Sequence, residues 1–434
     1  MRTCKQLLSA VASGECDSAL APLYALDGSE ASLKAARDRA LHVVRSFQAA
    51  FSPAQDAPAA LFSGPGRTEI GGNHTDHQHG RVLCGSVDLD MLACAAPNGA
   101  SRIRIRSEGY PTLEISLDQL QPRKEEENTS AALVRGVAAK IAELGHTLTG
   151  VDVYAVSNVL SGSGLSSSAA YEVLLGNILN HFCCGGALDP ITIAKIGQFA
   201  ENVYFGKLSG LMDQMGSSVG GAVAIDFADP ANPIVDRIDY DFTRSGYVLC
   251  IVDTGSDHSA KYLTEDYSDI TREMKAVAAY FGKTVLRDVS VTDFRAAIPA
   301  LRQTCGDRAV LRAMHFYDDD RTAALEAAVL KNGDFDFFLT LVQQSGLSSA
   351  LHLQNTWSVH DTRQQAIPLA LAEAERLLDT GAVRVHGGGF AGTIQAWVPT
   401  GDLETFKTGM EALLGPGKCH VLHIRPQGGC VVAA

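Results

Sequence analysis

Apolar residues recur at helical spacing over residues 32–51, where Leu33, Ala36, Ala40, Val43, Val44 and Phe47 form one stripe. That period predicts an amphipathic helix. Residues 52–58, Ser-Pro-Ala-Gln-Asp-Ala-Pro, break it. From Ala59 the texture changes to short strands and Gly-rich turns. Residues 102–106 alternate Arg and Ile, and residues 112–116 read Thr-Leu-Glu-Ile-Ser, the two-residue period of half-exposed strands. Helical spacing returns over 130–144, with Leu133, Val134, Val137, Ile141 and Leu144 on one face. Further strands are predicted at 151–156, 222–226, 247–252 and 393–398. Further helices are predicted at 171–179, 271–281, 321–331 and 367–379. Helices mixed with short strands, without regular β-α alternation, predict an α+β fold rather than a doubly wound sheet. There is no internal repeat and no linker long enough to separate free domains.

Composition narrows the class. With 434 residues, 46% of them hydrophobic and 20% charged, the chain is long enough for two or three packed units and too apolar for wholesale disorder. Thirty-six basic against 49 acidic residues give a net charge of −13, which offers no general attraction to nucleic acid or to anionic lipid. No run reaches the roughly 18 apolar residues of a membrane span. The basic start Met1-Arg2-Thr3-Cys4-Lys5 and the apolar residues 7–12 mimic a secretion signal, but the run is short and stops at Gly14-Glu15. Ten scattered cysteines without a Cys-x-x-Cys pair suit reduced thiols in a cytoplasmic protein.

Four stretches carry candidate chemistry. Residues 160–170, Leu-Ser-Gly-Ser-Gly-Leu-Ser-Ser-Ser-Ala-Ala, follow a predicted strand and open a predicted helix. Small residues let backbone approach an anion, and the helix start supplies free N–H groups and the positive dipole end, so a nucleotide phosphate fits. The hydroxyls of Ser166, Ser167 and Ser168 can bond phosphate or Mg²⁺. No Gly-Lys-Ser/Thr is present, so this is not a Walker loop, and alone it is equally a Gly/Ser turn capping a helix. Residues 64–80 gather Arg67, Asn73, His74, Asp76, His77 and His79 between glycines, a set suited to a polyol and a phosphoryl group. The same residues admit a zinc reading through His74, Asp76, His77 and His79, although no helical His-x-x-x-His spacing supports it. Glu201 and Asp213 flank a Gly-rich turn in apolar surroundings, where a carboxylate can hold Mg²⁺, accept a hydroxyl proton, or simply cap a helix. Residues 386–392, His-Gly-Gly-Gly-Phe-Ala-Gly, mark a close backbone approach.

In order along the chain, these stretches resemble the GHMP superfamily of small-molecule kinases, and its galactokinase branch in particular. Gly66-Arg67 and Gly72-Asn73-His74-Thr75-Asp76-His77 occupy the frame of the signature Gly-Arg-x-Asn-x-Ile-Gly-Glu-His-Thr-Asp-Tyr. Gly164 to Ala169 match the family's Gly-Leu-Ser-Ser-Ser-Ala residue for residue. Ala200-Glu201-Asn202 and Gly210-Leu211-Met212-Asp213-Gln214 match its Ala-Glu-Asn and Gly-x-Met-Asp-Gln elements. Gly387 to Gly392 match its third motif except at Ala391. The resemblance implies a two-domain α+β fold of mixed sheets and helices with the site in the interdomain cleft. The expected division is 1–216, with sugar signature and phosphate loop, and 217–434, with the Gly-rich third motif.

It further implies transfer of the γ-phosphoryl group of ATP, with Mg²⁺, to the anomeric hydroxyl of a galactose-like sugar. Carried over by position, Asp213 accepts the hydroxyl proton and Arg67 stabilises charge beside it. Asn73, His74, Asp76 and, by a looser match, Tyr267 hold the sugar. Gly162, Ser163, Gly164, Leu165, Ser166, Ser167, Ser168 and Ala169 line the triphosphate, and Ser168 and Glu201 are the magnesium ligands. The charge and the short apolar runs lead to no nucleic-acid or membrane partner; the sequence leaves the oligomeric state open, with a monomer favoured. The departures fall in the sugar stretch: Glu69 stands for the family's Asn, Asn73 for its Glu, and His77 for its Tyr. Galactose is therefore the leading substrate, with another galacto-configured sugar such as galacturonic acid, or a catalytically silent sugar and ATP sensor, as alternatives.

Overall fold

The structure is a computed structural model that describes residues 1–434 except 55, 160–163, 208 and 257–260. Gly162 and Ser163 of the expected phosphate loop therefore lie outside the described residues. Strands run β1 Arg2–Thr3, β2 Pro58–Gly71, β3 Arg81–Pro97, β4 Arg102–Ser107, β5 Leu113–Ser116, β6 Val151–Ser157, β7 Ala222–Asp226, β8 Ile234–Ile238, β9 Tyr247–Asp253, β10 Ala382–His386, β11 Thr393–Pro399, β12 Cys419–Leu422 and β13 Cys430–Ala433. They form two sheets. A nine-stranded sheet follows the order β1-β2-β3-β6-β4-β5, with β13 and β7 added to β2 and β3, and β8 to β7. A four-stranded sheet follows β10-β11-β9-β12. Helices cover both, so the expected α+β class holds.

The predicted helix at 32–51 runs over Glu30–Phe51. Ser29 starts it by accepting the N–H of Ser32, and the predicted stripe is its buried face. The helix expected at 130–144 is Ser130–Glu143, and Leu144 caps it in solvent rather than joining the apolar face. The helices expected at 271–281 and 321–331 are the C-terminal parts of Lys261–Tyr280 and Asp307–Lys331. The strands expected at 102–106 and 112–116 are β4 and β5, and the segment before them is one long antiparallel hairpin, β2 and β3, 14 and 17 residues long. β2 is buried at every position but the first, because helices and the second sheet cover both its faces, so it shows no alternation.

The boundary expected at 216/217 does not coincide with a sheet edge. β7 pairs with β3, β8 with β7, and the C-terminal β13 with β2, so the first sheet draws strands from both sides of that point. Beneath the four-stranded sheet, helices Ala366–Leu377 and Leu403–Leu414 pack Ala370, Phe406 and Met410 on Val385 and Ile394. On its other face, Trp397, Phe335 and Phe338 join Ile70, Leu83 and Ala222 of the large sheet in one apolar cluster. This cluster fixes the two sheets around the cleft that β2 opens into. Among the described residues no helix is long and apolar enough to cross a membrane, and all ten cysteines are free thiols.

Candidate active site

Arg67 and Glu69 alternate with Thr68 on β2, so both side chains project from one face of the strand. The register with β3 shifts just before Arg67 and just after Glu69, and such irregularities re-aim side chains near sites. Arg67 donates from Nε to Asp213 Oδ1 at 2.8 Å and brings Nη2 within 2.6 Å of the same oxygen. Its Nη1 donates to the carbonyl of Gly164. Asp213 sits in the first turn of helix Met212–Val219, and its second oxygen accepts the Ser166 hydroxyl at 2.5 Å. Burial would raise the Asp213 carboxyl. The Arg67 charge, the bonds from Ser166 and Arg67, and the Lys207 charge outweigh it and hold the group below its usual 3.8. Asp213 is thus an ionised acceptor at neutral pH.

The helix Ser167–Cys183 begins directly after this contact. Ser166 precedes it in the left-handed region at φ 53, and Gly164 turns the chain at φ 73. The first N–H groups of such a helix have no partner inside it. Leu165 and Ala169 are buried side chains, so they offer the cleft backbone only; the Leu165 carbonyl accepts the N–H of Arg67. Ser168 donates to Glu201 Oε1 at 3.3 Å, bringing the two expected magnesium ligands together. Glu201 also accepts Lys207 at 3.1 Å, Ser209 at 2.6 Å and Gln214 at 2.9 Å. The donor set, a hydroxyl and a carboxylate beside an anion-binding helix start, is the hard-oxygen chemistry Mg²⁺ takes with phosphates. Gln214 also donates to Glu172, whose buried carboxyl desolvation pushes well above its ordinary value.

A cavity of about 150 Å³ opens beside Asp213, lined by Arg67, Glu69, His74, Asp76, Lys207 and Tyr267 among others. His74 donates from Nε2 to the Gly388 carbonyl at 3.0 Å, and burial lowers its pKa to about 3, so it is neutral. Its ring lies 4.9 Å from that of Tyr267, whose hydroxyl meets His77 Nε2 at 3.2 Å. Asp76 Oδ1 accepts the His77 N–H at 2.9 Å. A Cβ at Gly388 would stand 2.8 Å from the Tyr267 ring, so a larger residue there would displace that ring from the cavity. The zinc reading finds no support: among the described residues no three metal-capable side chains converge.

One expectation needs correction. Asn73 is fully buried, and its side chain is bonded within the protein. It donates to Glu69 Oε1 and to the Gly387 carbonyl, each at 2.8 Å, and accepts from Asn355 at 2.8 Å and Ser349 at 3.3 Å. Asn73 has no group left for a sugar and acts as scaffold. Glu69 lines the cavity in its stead. Lys207 and Glu69 were absent from the expected site residues, and His77 was named only within the polar stretch and the zinc reading. Glu69 and His77 had a signal in their departure from the family signature; Lys207 had none.

Comparison with known proteins agrees with this geometry. Residues 132–221 match the family model described as GHMP kinases N terminal domain, and residues 45–97 match the galactokinase galactose-binding signature. A galactokinase of Streptomyces coelicolor is 30% identical over 342 residues, covering 77% of this chain and 84% of that protein. Among solved structures, a Lactococcus lactis galactokinase complexed with galactose superposes with a TM-score of 0.74 at 20% identity, covering 89% of this chain and 98% of that one. The Methanococcus jannaschii mevalonate kinase has the same fold at a TM-score of 0.59 and 14% identity, covering 86% and 99%. With the Arg67–Asp213 pair and the sugar signature lining one cavity, the phosphate-loop motif bonded to that pair through Gly164 and Ser166, and these relatives, the chain belongs to the galactokinase family of the GHMP kinases.

Proposed function

We propose that the protein transfers the γ-phosphoryl group of ATP, with Mg²⁺, to the anomeric C1 hydroxyl of galactose, giving galactose 1-phosphate. As a family member it is an ATP-using phosphotransferase with an alcohol acceptor; the sugar, the cation and the residue roles are the substance of the proposal. The observation that carries it is the chain Arg67–Asp213–Ser166, which ties the sugar cavity to the start of the phosphate-loop helix.

The sugar hydroxyl meets Asp213, already ionised, which orients it and accepts its proton as the new O–P bond forms. Arg67 keeps that carboxylate aimed and supplies positive charge to the phosphoryl group in flight. Gly164, Ser166, Ser167 and Ser168 hold the phosphates with backbone N–H groups and hydroxyls, on the positive end of the helix. Ser168 and Glu201 would hold Mg²⁺, which neutralises phosphate charge when bound. His74 and Asp76 position the sugar in the cavity, with Tyr267 packed beside His74. Phosphoryl transfer asks mainly for positioning and charge stabilisation, and these residues supply both.

The test is ADP release from MgATP across galactose, galactosamine, N-acetylgalactosamine, galacturonic acid, arabinose and glucose. Galactose is expected to give the highest kcat/KM. Another sugar ahead of it, or no turnover with any, would overturn the assignment.

A further inference from the structure

We propose that Glu69 is a specificity-determining residue of the acceptor site: its cavity-facing oxygen takes the hydrogen of a substrate hydroxyl or ammonium, so the cleft selects neutral and amino sugars and discriminates against sugar acids. The proposal deepens the kinase function above and rests on it.

Glu69 is 4% exposed and lines the cavity. Its Oε1 is fully engaged, accepting Asn73 Nδ2 at 2.8 Å and Arg384 Nη2 at 3.0 Å. Its Oε2 takes no hydrogen bond among the described residues. The carboxylate cannot turn away to find one, because Arg384 is itself fixed. That side chain is 1% exposed and donates to the carbonyls of Ile70 at 2.6 Å and Val385 at 3.1 Å. Behind it, Asn73 is saturated by Gly387, Asn355 and Ser349. Relative to the family signature, carboxylate and amide have exchanged positions. The amide has become the support, and the carboxylate is the group with bonding capacity left.

The charges in the cavity point the same way. Its acids are Glu69, Asp76 and Asp213, and its cations are Arg67 and Lys207. Both cations are engaged, Arg67 with Asp213 and Gly164, and Lys207 with Glu201. What remains beside Glu69 is acceptor capacity, which welcomes hydroxyl or ammonium donors and repels a second carboxylate. A site built around hydrogen bonds to a substrate donor discriminates strongly against an analogue that lacks it.

Titration of Glu69 gives a second handle. Burial raises its pKa to about 7, against the lowering effect of Arg384, Arg67 and the Asn73 bond and with a further raise from Asp76. From helix Asp307–Lys331, the buried carboxyl of Glu326 is itself pushed well above its ordinary value by burial and, further, by Asp319 and Glu69, while His74 across the cavity is neutral. Once protonated, Glu69 no longer repels an acid.

The experiment measures kcat/KM for galactose, galactosamine and galacturonic acid at pH 6 and pH 8, for the wild type and Glu69→Gln. The wild-type preference for galactose over galacturonic acid is expected to narrow by about tenfold from pH 8 to pH 6, and that for galactosamine to stay comparatively high at pH 8. In Glu69→Gln the galactose KM should rise about tenfold with the ATP KM unchanged, and the pH dependence of selectivity should vanish. A folded Glu69→Gln with wild-type KM and selectivity overturns the proposal. If that variant does not fold, a wild-type galactose-to-galacturonate ratio that is flat between the two pH values overturns it. No turnover of any sugar by the wild type would remove the kinase function as well, whereas galactose turnover with unaltered selectivity removes only the role of Glu69.

Discussion

Replacing Asp213 by Asn preserves volume and removes one charge at the centre of the site. In the wild type, Oδ1 takes two guanidinium contacts from Arg67, at 2.8 and 2.6 Å, and Oδ2 takes the Ser166 hydroxyl at 2.5 Å. An amide keeps a single acceptor oxygen and no charge, so either the ion pair with Arg67 becomes a neutral bond and the Ser166 bond reverses, the hydroxyl accepting from the NH₂, or the NH₂ faces Arg67 and that contact is lost. Losing a positioned proton acceptor costs about two to four orders of magnitude in kcat, or about 3–5 kcal/mol of transition-state stabilisation. Stability falls too. Arg67 is buried, and an unpaired buried charge costs about 3–5 kcal/mol, but the Asp213 side chain is 26% exposed and water screens part of that. About 2 kcal/mol is the expected loss, visible as a lower Tm. The assay pairs ADP release under saturating sugar and ATP with calorimetric titration of ATP. ATP affinity should be little changed, because Asp213 faces the acceptor. A folded Asp213→Asn enzyme with kcat near wild type would show that this carboxylate does not handle the proton.

Gly164→Val should abolish measurable ATP binding and leave sugar binding intact in titration calorimetry, since φ there is +73 and the new Cβ would stand 3.0 Å from His386 Nδ1. Arg67→Lys should lower kcat by at least about tenfold in the ADP assay, because an ammonium cannot serve Asp213 and Gly164 together as the planar guanidinium does. Glu201→Gln should weaken Mg²⁺ dependence by about ten- to a hundredfold in a metal titration at fixed ATP. In the unliganded wild type, Glu69 should contribute stability that is lost as pH rises. Glu69 has its folded pKa raised from 4.5 to about 7, so its contribution is fully present below pH 4.5 and is lost by pH 7. The shift corresponds to about 3 kcal/mol, and Glu69→Gln should flatten that part of a Tm-versus-pH curve.

The phosphate-loop helix, the helix after Ser29 and six of the thirteen strands were legible because each carries a local pattern: a cap, a stripe or an alternation. The β2–β3 hairpin was not. β2 is covered on both faces and β3 on most of its length, which erases the two-residue period that marks a strand. Nor could sequence reveal that β13 returns to β2, a pairing between residues some 370 apart whose register no local signal encodes. Around the site, motif order was enough to bring Arg67, Asp213, Ser168 and Glu201 together. It misjudged Asn73 because alignment transfers a position and not its exposure. Whether that side chain faces sugar or protein depends on Asn355 and Ser349, nearly 300 residues away, and on Arg384 holding Glu69 beside it.

The most direct test is to identify the product by phosphorus and proton NMR after incubating the purified protein with MgATP and galactose. The proposed chemistry predicts one sugar phosphate, with phosphorus coupled to the anomeric proton at C1, formed together with ADP. A folded, ATP-binding protein that yields no sugar phosphate, or one that carries phosphate on any hydroxyl other than C1, would contradict it.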